Sequence, residues 1–141
     1  MIQQNSDVCS IDLPPITKEQ LIRYAEASTD LNPIHMCDKK AIEYGLPGVI
    51  AHGMLTMAFM GRFFGKTIQN GGFIKEFHAR FKSKVFVGDQ LTVVAEKENS
   101  RKNAGETRFD TESSIERYTI RVINQNSEEI AIGYVDVYRM L

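Results

Sequence analysis

Ala51-His52-Gly53-Met54-Leu55-Thr56-Met57-Ala58-Phe59-Met60-Gly61-Arg62-Phe63-Phe64 decides the fold, because nearly every residue in it is apolar. A helix that is apolar on every side has to be wrapped on every side, so this one belongs at the centre of the molecule. Gly61 and Gly65 weaken it and mark close packing and its end. Its Met and Phe side chains read first as core.

The flanking chain supplies the wrapping. After Asn70-Gly71-Gly72 the apolar period changes from helical to alternating. Phe73, Lys75, Phe77, Ala79 and Phe81 fall on one face of a strand, with Ile74, Glu76, His78, Arg80 and Lys82 on the other. Val85-Phe86-Val87-Gly88-Asp89 turns into a second strand over 91–95. Residues 101–105 read as a polar hairpin tip, and 107–124 as a long strand with Tyr118, Ile120 and Val122 on one side. A hairpin at Asn124-Gln125-Asn126-Ser127 returns the chain as 130–138.

Upstream, residues 8–13 form a short strand or arm that stops at Pro14-Pro15. Thr17-Lys18-Glu19-Gln20 is a capping box, and Leu21, Ile22, Tyr24, Ala25 and Ala27 carry helical spacing over 18–28. Asn32 precedes Pro33 and is pushed out of the helical region, so 30–35 is a loop. Asp38 reads as the cap of a short helix over 39–44, stopped by Gly45 and Pro47. The predicted class is α+β, an antiparallel sheet curled round a buried helix in one domain spanning 1–141. One sheet cannot cover a helix that is apolar all round. A second copy of the chain would, through paired edge strands or facing helices, so a homodimer is expected.

Composition narrows the partners. Hydrophobic residues make up 43% and charged ones 25%, which is ordinary for a globular chain. A net charge of -1 offers no general attraction for nucleic acid or an anionic membrane. Cys9 and Cys37 are too few for a disulfide framework and lack metal-site spacing, as expected of free thiols in a reducing cytoplasm. Met1-Ile2-Gln3-Gln4-Asn5 has neither the basic region nor the apolar core of a signal peptide. No apolar run reaches the ~20 residues that span a bilayer. A soluble cytoplasmic protein is expected.

The chemistry gathers in Asp30-Leu31-Asn32-Pro33-Ile34-His35 and Ile50-Ala51-His52-Gly53-Met54. A carboxylate and an imidazole five residues apart in a proline-braced loop can converge on one water or hydroxyl. Histidine titrates near neutrality, as acid/base work requires. Asn32 can orient a polar group, although Asn before Pro is equally a turn residue. Gly53, in the first turn of the apolar helix, offers a backbone N–H with the positive helix end behind it. Such a group stabilises a developing oxyanion. Each residue also has a plainer role: Asp30 as a turn cap, His35 as a hydrogen-bonded loop residue, His52 as a neighbour of the site. His78 and the basic group Lys75, Arg80, Lys82 and Lys84 read as solvated surface. A metal held by His35, His52 and an acid matches no ligand spacing, so none is expected.

Two segments carry a resemblance. Tyr24-Ala25-Glu26-Ala27-Ser28-Thr29-Asp30-Leu31-Asn32-Pro33-Ile34-His35, with Gly45-Leu46-Pro47 and Ile50-Ala51-His52-Gly53-Met54-Leu55-Thr56-Met57, resembles the MaoC-like hydratases. It is similar in particular to (R)-specific enoyl-CoA hydratases and (R)-3-hydroxyacyl dehydratases. Phe81-Lys82 and Val85-Phe86-Val87-Gly88-Asp89-Gln90-Leu91 extend the likeness. Thr29 departs from the Gly many members carry there, and Gly61 from the Ser of some short-chain hydratases. The resemblance implies a hot dog fold, a homodimer or an oligomer of dimers, and no cofactor. It also implies Asp30 and His35 as the catalytic pair and Gly53 N–H as receiver of the thioester oxygen. Asn32, His52 and Met54 then flank the thioester head of an acyl-CoA or acyl-carrier-protein substrate, and Leu55, Phe59 and Phe63 line its acyl chain. The alternatives are a hot dog thioesterase, and a non-catalytic acyl-thioester-binding subunit of a hetero-oligomer.

Overall fold

The alternation along the C-terminal half builds a sheet whose inner side chains close over one helix. A computed structural model describes residues 8–98 and 113–140. They form β1 (Val8–Asp12), α1 (Lys18–Ser28), a 3-10 turn (Pro33–His35), α2 (Asp38–Glu43), α3 (Gly53–Arg62) and α4 (Gly65–Gln69). Four strands follow: β2 (Phe73–Phe81), β3 (Thr92–Lys97), β4 (Ser113–Ile123) and β5 (Glu129–Met140). The strands make one antiparallel sheet in the order β1-β3-β4-β5-β2, which is the expected α+β, hot dog arrangement. The hairpin tip expected at 101–105 and the strand start expected at 107–112 lie outside the described residues.

Val93 and Ala95 on β3, Ile120 and Val122 on β4, and Val135 and Val137 on β5 are buried with Leu55, Met60 and Phe64 in one core. Each such large side chain contributes roughly 1.5–3 kcal/mol on burial. Leu21 and Ala25 bury one face of α1, whose N-terminus is capped as its sequence predicts: Gln20 N–H donates to Thr17 Oγ1 at 3.1 Å.

Three local expectations are corrected. The strict alternation of β2 breaks at Lys75, where the register against β5 shifts between Ile74 and Glu76. The extra residue turns Ile74 inward beside Phe77 and Ala79. Phe73 is turned outward, where it is 50% exposed and stacks on Tyr138 at 4.7 Å. The apolar helix stops at Arg62 rather than at Phe64, and Gly65 opens α4 instead of ending α3. Asp38 does not cap α2. Its carboxylate instead accepts from Val49 N–H (3.0 Å) and Lys18 Nζ (3.0 Å), tying that segment to Gly48-Val49 and α1. These contacts, the backbone one foremost, hold its carboxyl below the ordinary value.

The sheet covers one face of α3. Leu55, Thr56 and Met60 are buried, whereas Met54 is 59% exposed and Ala58 is exposed among the described residues. No helix among those residues is long and apolar enough to cross a membrane.

Candidate active site

Short side chains fold the loop after α1 onto itself. Thr29 closes the helix in the left-handed region at φ 61°. Asp30 N–H donates to Ser28 Oγ (3.3 Å), Asn32 N–H to Asp30 Oδ1 (3.3 Å), and Ile34 N–H to Asn32 Oδ1 (3.2 Å). These are successive turns closed by Ser, Asp and Asn side chains, and Pro33 then sets φ at the start of the 3-10 turn. The side-chain oxygen of Asn32 is therefore engaged in shaping the loop. Asp30 keeps one oxygen free, and its side chain is 53% exposed.

His35 is held from behind. Its Nδ1 lies 2.7 Å from the Ile50 carbonyl, which can only accept, so Nδ1 carries the proton and Nε2 the lone pair. Ile50 is fixed in turn by its N–H to Ile34 O (3.1 Å) and by a bridge to Phe86. His35 Nε2 and Asp30 Oδ2 are 4.0 Å apart. That exceeds a hydrogen bond, but two acceptors at this separation can both accept from one intervening group.

His52 braces the pair. It is 2% exposed, donates from Nε2 to the Asp30 carbonyl at 3.1 Å, and stacks on His35 with centroids 3.8 Å apart and planes at 25°. The Tyr24 ring meets it edge-on at 4.9 Å, and its Nδ1 has no hydrogen-bond partner. Ligand atoms of Asp30, His35 and His52 lie within 4.8 Å of one another, a donor set chemically suited to a divalent ion. Each ring has one nitrogen against a backbone carbonyl, His35 Nδ1 on Ile50 O and His52 Nε2 on Asp30 O, so His35 Nε2 and His52 Nδ1 are the nitrogens left to offer.

Gly53 follows directly as the first residue of α3, with His52 as a cap residue whose side chain bonds none of the helix's own N–H groups. Its N–H has no intrahelical acceptor and sits at the positive helix end. A Cβ here would lie 3.3 Å from the Phe81 ring, so glycine keeps that ring close. Met54 is exposed beside it, Leu55 is 6% exposed within the core, and Phe59 and Phe63 are half-buried against that core.

Asp30, His35, His52 and Gly53 thus come together at one end of α3, while Leu55 belongs to the packed interior. Sequence reasoning missed Tyr24, Phe81 and the Ile50 carbonyl as parts of the site. The helical spacing of Tyr24 and the alternation at Phe81 signalled only burial, and a backbone carbonyl has no sequence signature.

The family model described as the MaoC like domain matches residues 8–118. An R-hydratase from Pseudomonas aeruginosa superposes with a TM-score of 0.76 at 25% identity, covering 94% of this chain and 79% of that one. The (R)-hydratase from A. caviae involved in PHA biosynthesis gives a TM-score of 0.79 at 22% identity, covering 99% of this chain and 100% of that one. In sequence, a mitochondrial 3-hydroxyacyl-[acyl-carrier-protein] dehydratase of Arabidopsis thaliana is 28% identical over 75 residues, 53% of this chain and 45% of that protein. The beta subunit of fatty acid synthase from Aspergillus oryzae is 40% identical over 72 residues, 50% of this chain and 4% of that subunit. The match therefore takes in less than half the length of each of these two relatives.

Proposed function

The chain belongs to the MaoC-like domain family, and on that premise we propose that it is an (R)-specific hydro-lyase of acyl thioesters. It adds water across a trans-2-enoyl thioester to give the (R)-3-hydroxyacyl form, or runs the reverse dehydration, within fatty-acid or polyhydroxyalkanoate metabolism. The observation that carries this reading is the His35 tautomer. Because Nδ1–H is tied to Ile50 O, the free Nε2 and the Asp30 carboxylate face each other as two acceptors 4.0 Å apart. One water donating to both would present its oxygen lone pair to C3 of the substrate. As that oxygen bonds C3, one member of the pair takes a proton, and the pair returns a proton to C2. The enolate oxygen formed between these steps is stabilised by Gly53 N–H at the start of α3.

The uncovered face of α3 supports a homodimer as the working unit, with α3 bounding the acyl site and a CoA or carrier-protein handle outside. With crotonyl-CoA, the purified protein is expected to consume the enoyl absorbance. Asp30→Asn and His35→Ala are each expected to abolish most of that rate. Full activity in both variants would sink the assignment, and release of free thiol in place of enoyl loss would point to thioester hydrolysis.

A further inference from the structure

We infer that His52 is the positioning residue of this site, one buried ring that fixes the acid, the base and the oxyanion N–H relative to one another without touching substrate. This rests on the hydro-lyase reading above. His52 is 2% exposed and has no surface to offer a thioester. Its contacts run instead to each of the three groups. Nε2 donates to the Asp30 carbonyl at 3.1 Å, which anchors the main chain of the residue that carries the carboxylate. The ring stacks on the His35 imidazole at 3.8 Å, while the Ile50 carbonyl on His35 Nδ1 fixes that imidazole within its own plane. Between them these contacts set the 4.0 Å gap from Asp30 Oδ2 to His35 Nε2. The third link is covalent. The Gly53 N–H belongs to the peptide unit that His52 begins. The carbonyl of that unit accepts from Leu55 N–H at 3.1 Å, and in a planar trans peptide the N–H points the opposite way, out of the helix start.

Packing alone does not call for histidine here. Its Nδ1 is buried and has no hydrogen-bond partner among the described residues, which destabilises the folded chain. A phenyl ring in the same place, against Tyr24 and flat on His35, would carry no such orphan. It would also have no N–H for Asp30. An amide would supply the N–H but no ring to stack. Of the three groups only imidazole makes both contacts at once, and the unpaired nitrogen comes with it. Asp30 lies in an exposed loop, so water can take up its carbonyl once the Nε2–H is gone. The loop then loses its tie to the site rather than its fold.

Steady-state kinetics with crotonyl-CoA on two variants test this, with thermal unfolding used to express each rate per folded protein. His52→Phe keeps the stack and removes the N–H. It should lower kcat about 10- to 100-fold while KM stays within about twofold of wild type. His52→Gln keeps a donor and removes the stack, with a kcat loss again at unchanged KM. Asp30→Glu already displaces the carboxylate by one methylene, so adding His52→Phe to it should cost less than about threefold. The loss from His52→Gln acts through His35 and should persist in full on that background. Full kcat in both variants, or a loss that vanishes per folded protein, would overturn the inference. So would a raised KM at unchanged kcat, which makes His52 a substrate contact, or the same His52→Phe loss with and without Asp30→Glu. Each of these leaves the hydro-lyase reading in place, whereas no turnover by wild type would remove both.

Discussion

Two polar clusters in this molecule use similar residues to opposite ends. On the outer face of the sheet, Arg117 donates from Nε and Nη2 to both oxygens of Asp136, each at 2.7 Å. The guanidinium lies 4.1 Å over the Tyr134 ring, Tyr134 OH donates to Glu76 at 2.6 Å, and the ring stacks on His78 at 5.4 Å. Every charge there has a partner, and the cluster pins β4, β5 and β2 together. The Arg117 bond holds the Asp136 carboxyl below its ordinary value. At the start of α3, Asp30 accepts from Asn32 N–H and His35 is tied to the Ile50 carbonyl, yet each keeps one atom uncommitted, 4.0 Å from the other. Completed bonding produces stability, and deliberate incompleteness leaves chemistry to be done.

The contrast is sharpest in the largest expected effect. Asp30→Asn should lower kcat for crotonyl-CoA by about 10²–10⁴. The amide can still accept from Asn32 N–H, so the unfolding free energy measured in urea should change by less than about 0.5 kcal/mol. A large loss of stability there would blur the two clusters into one kind. Gly53→Pro comes next. His52 sits at φ -63°, ψ 136°, which suits a residue before proline, and proline is tolerated at the first helical position. Removing that one N–H should cost about 10²–10³ in kcat. Gly53→Ala keeps the N–H and only crowds Phe81, so it should cost less, and equal losses would discard the oxyanion role.

On the sheet the signs reverse. Asp136→Asn should cost roughly 1–2 kcal/mol in chemical denaturation, discounted because the Arg117 side chain is 41% exposed, and should leave kcat where it was. Its pH dependence gives the smallest effect. Folded Asp136 gives up its proton more readily than unfolded Asp136, so the unfolded chain takes up protons first as pH falls. The stabilisation is whole above the unfolded carboxyl value of about 3.9 and is lost as pH drops through the lower folded value. The stability gap between wild type and Asp136→Asn should therefore be constant from neutrality to about pH 5 and close below about pH 4. A gap that stays open in acid would mean the pair is not electrostatic.

Much of the site's scaffold was legible because it is local. Thr17 caps its helix three residues on, Pro33 breaks the chain into a loop, and Gly53 starts the apolar helix. The Arg117–Asp136 pair was not legible, since nineteen residues of sequence separate two charges that only strand register brings together. The bulge at Lys75 escaped for a similar reason. Phe73 alternates correctly with Phe77, and only the pairing with β5 turns it outward onto Tyr138.

What the sequence determined by itself is the roster and its local geometry. An acid and a histidine share one proline-braced loop, and a glycine opens an apolar helix too greasy for solvent. Those follow from backbone preferences and side-chain reach within a few residues. The tertiary structure alone decided how these parts act. Contacts between Ile50 and His35, fifteen residues apart, and between His52 and Asp30, twenty-two apart, select the histidine tautomer and hold the acid in place. A carbonyl that can only accept, set 2.7 Å from Nδ1, leaves the reactive lone pair on Nε2, and no one-dimensional pattern encodes that placement.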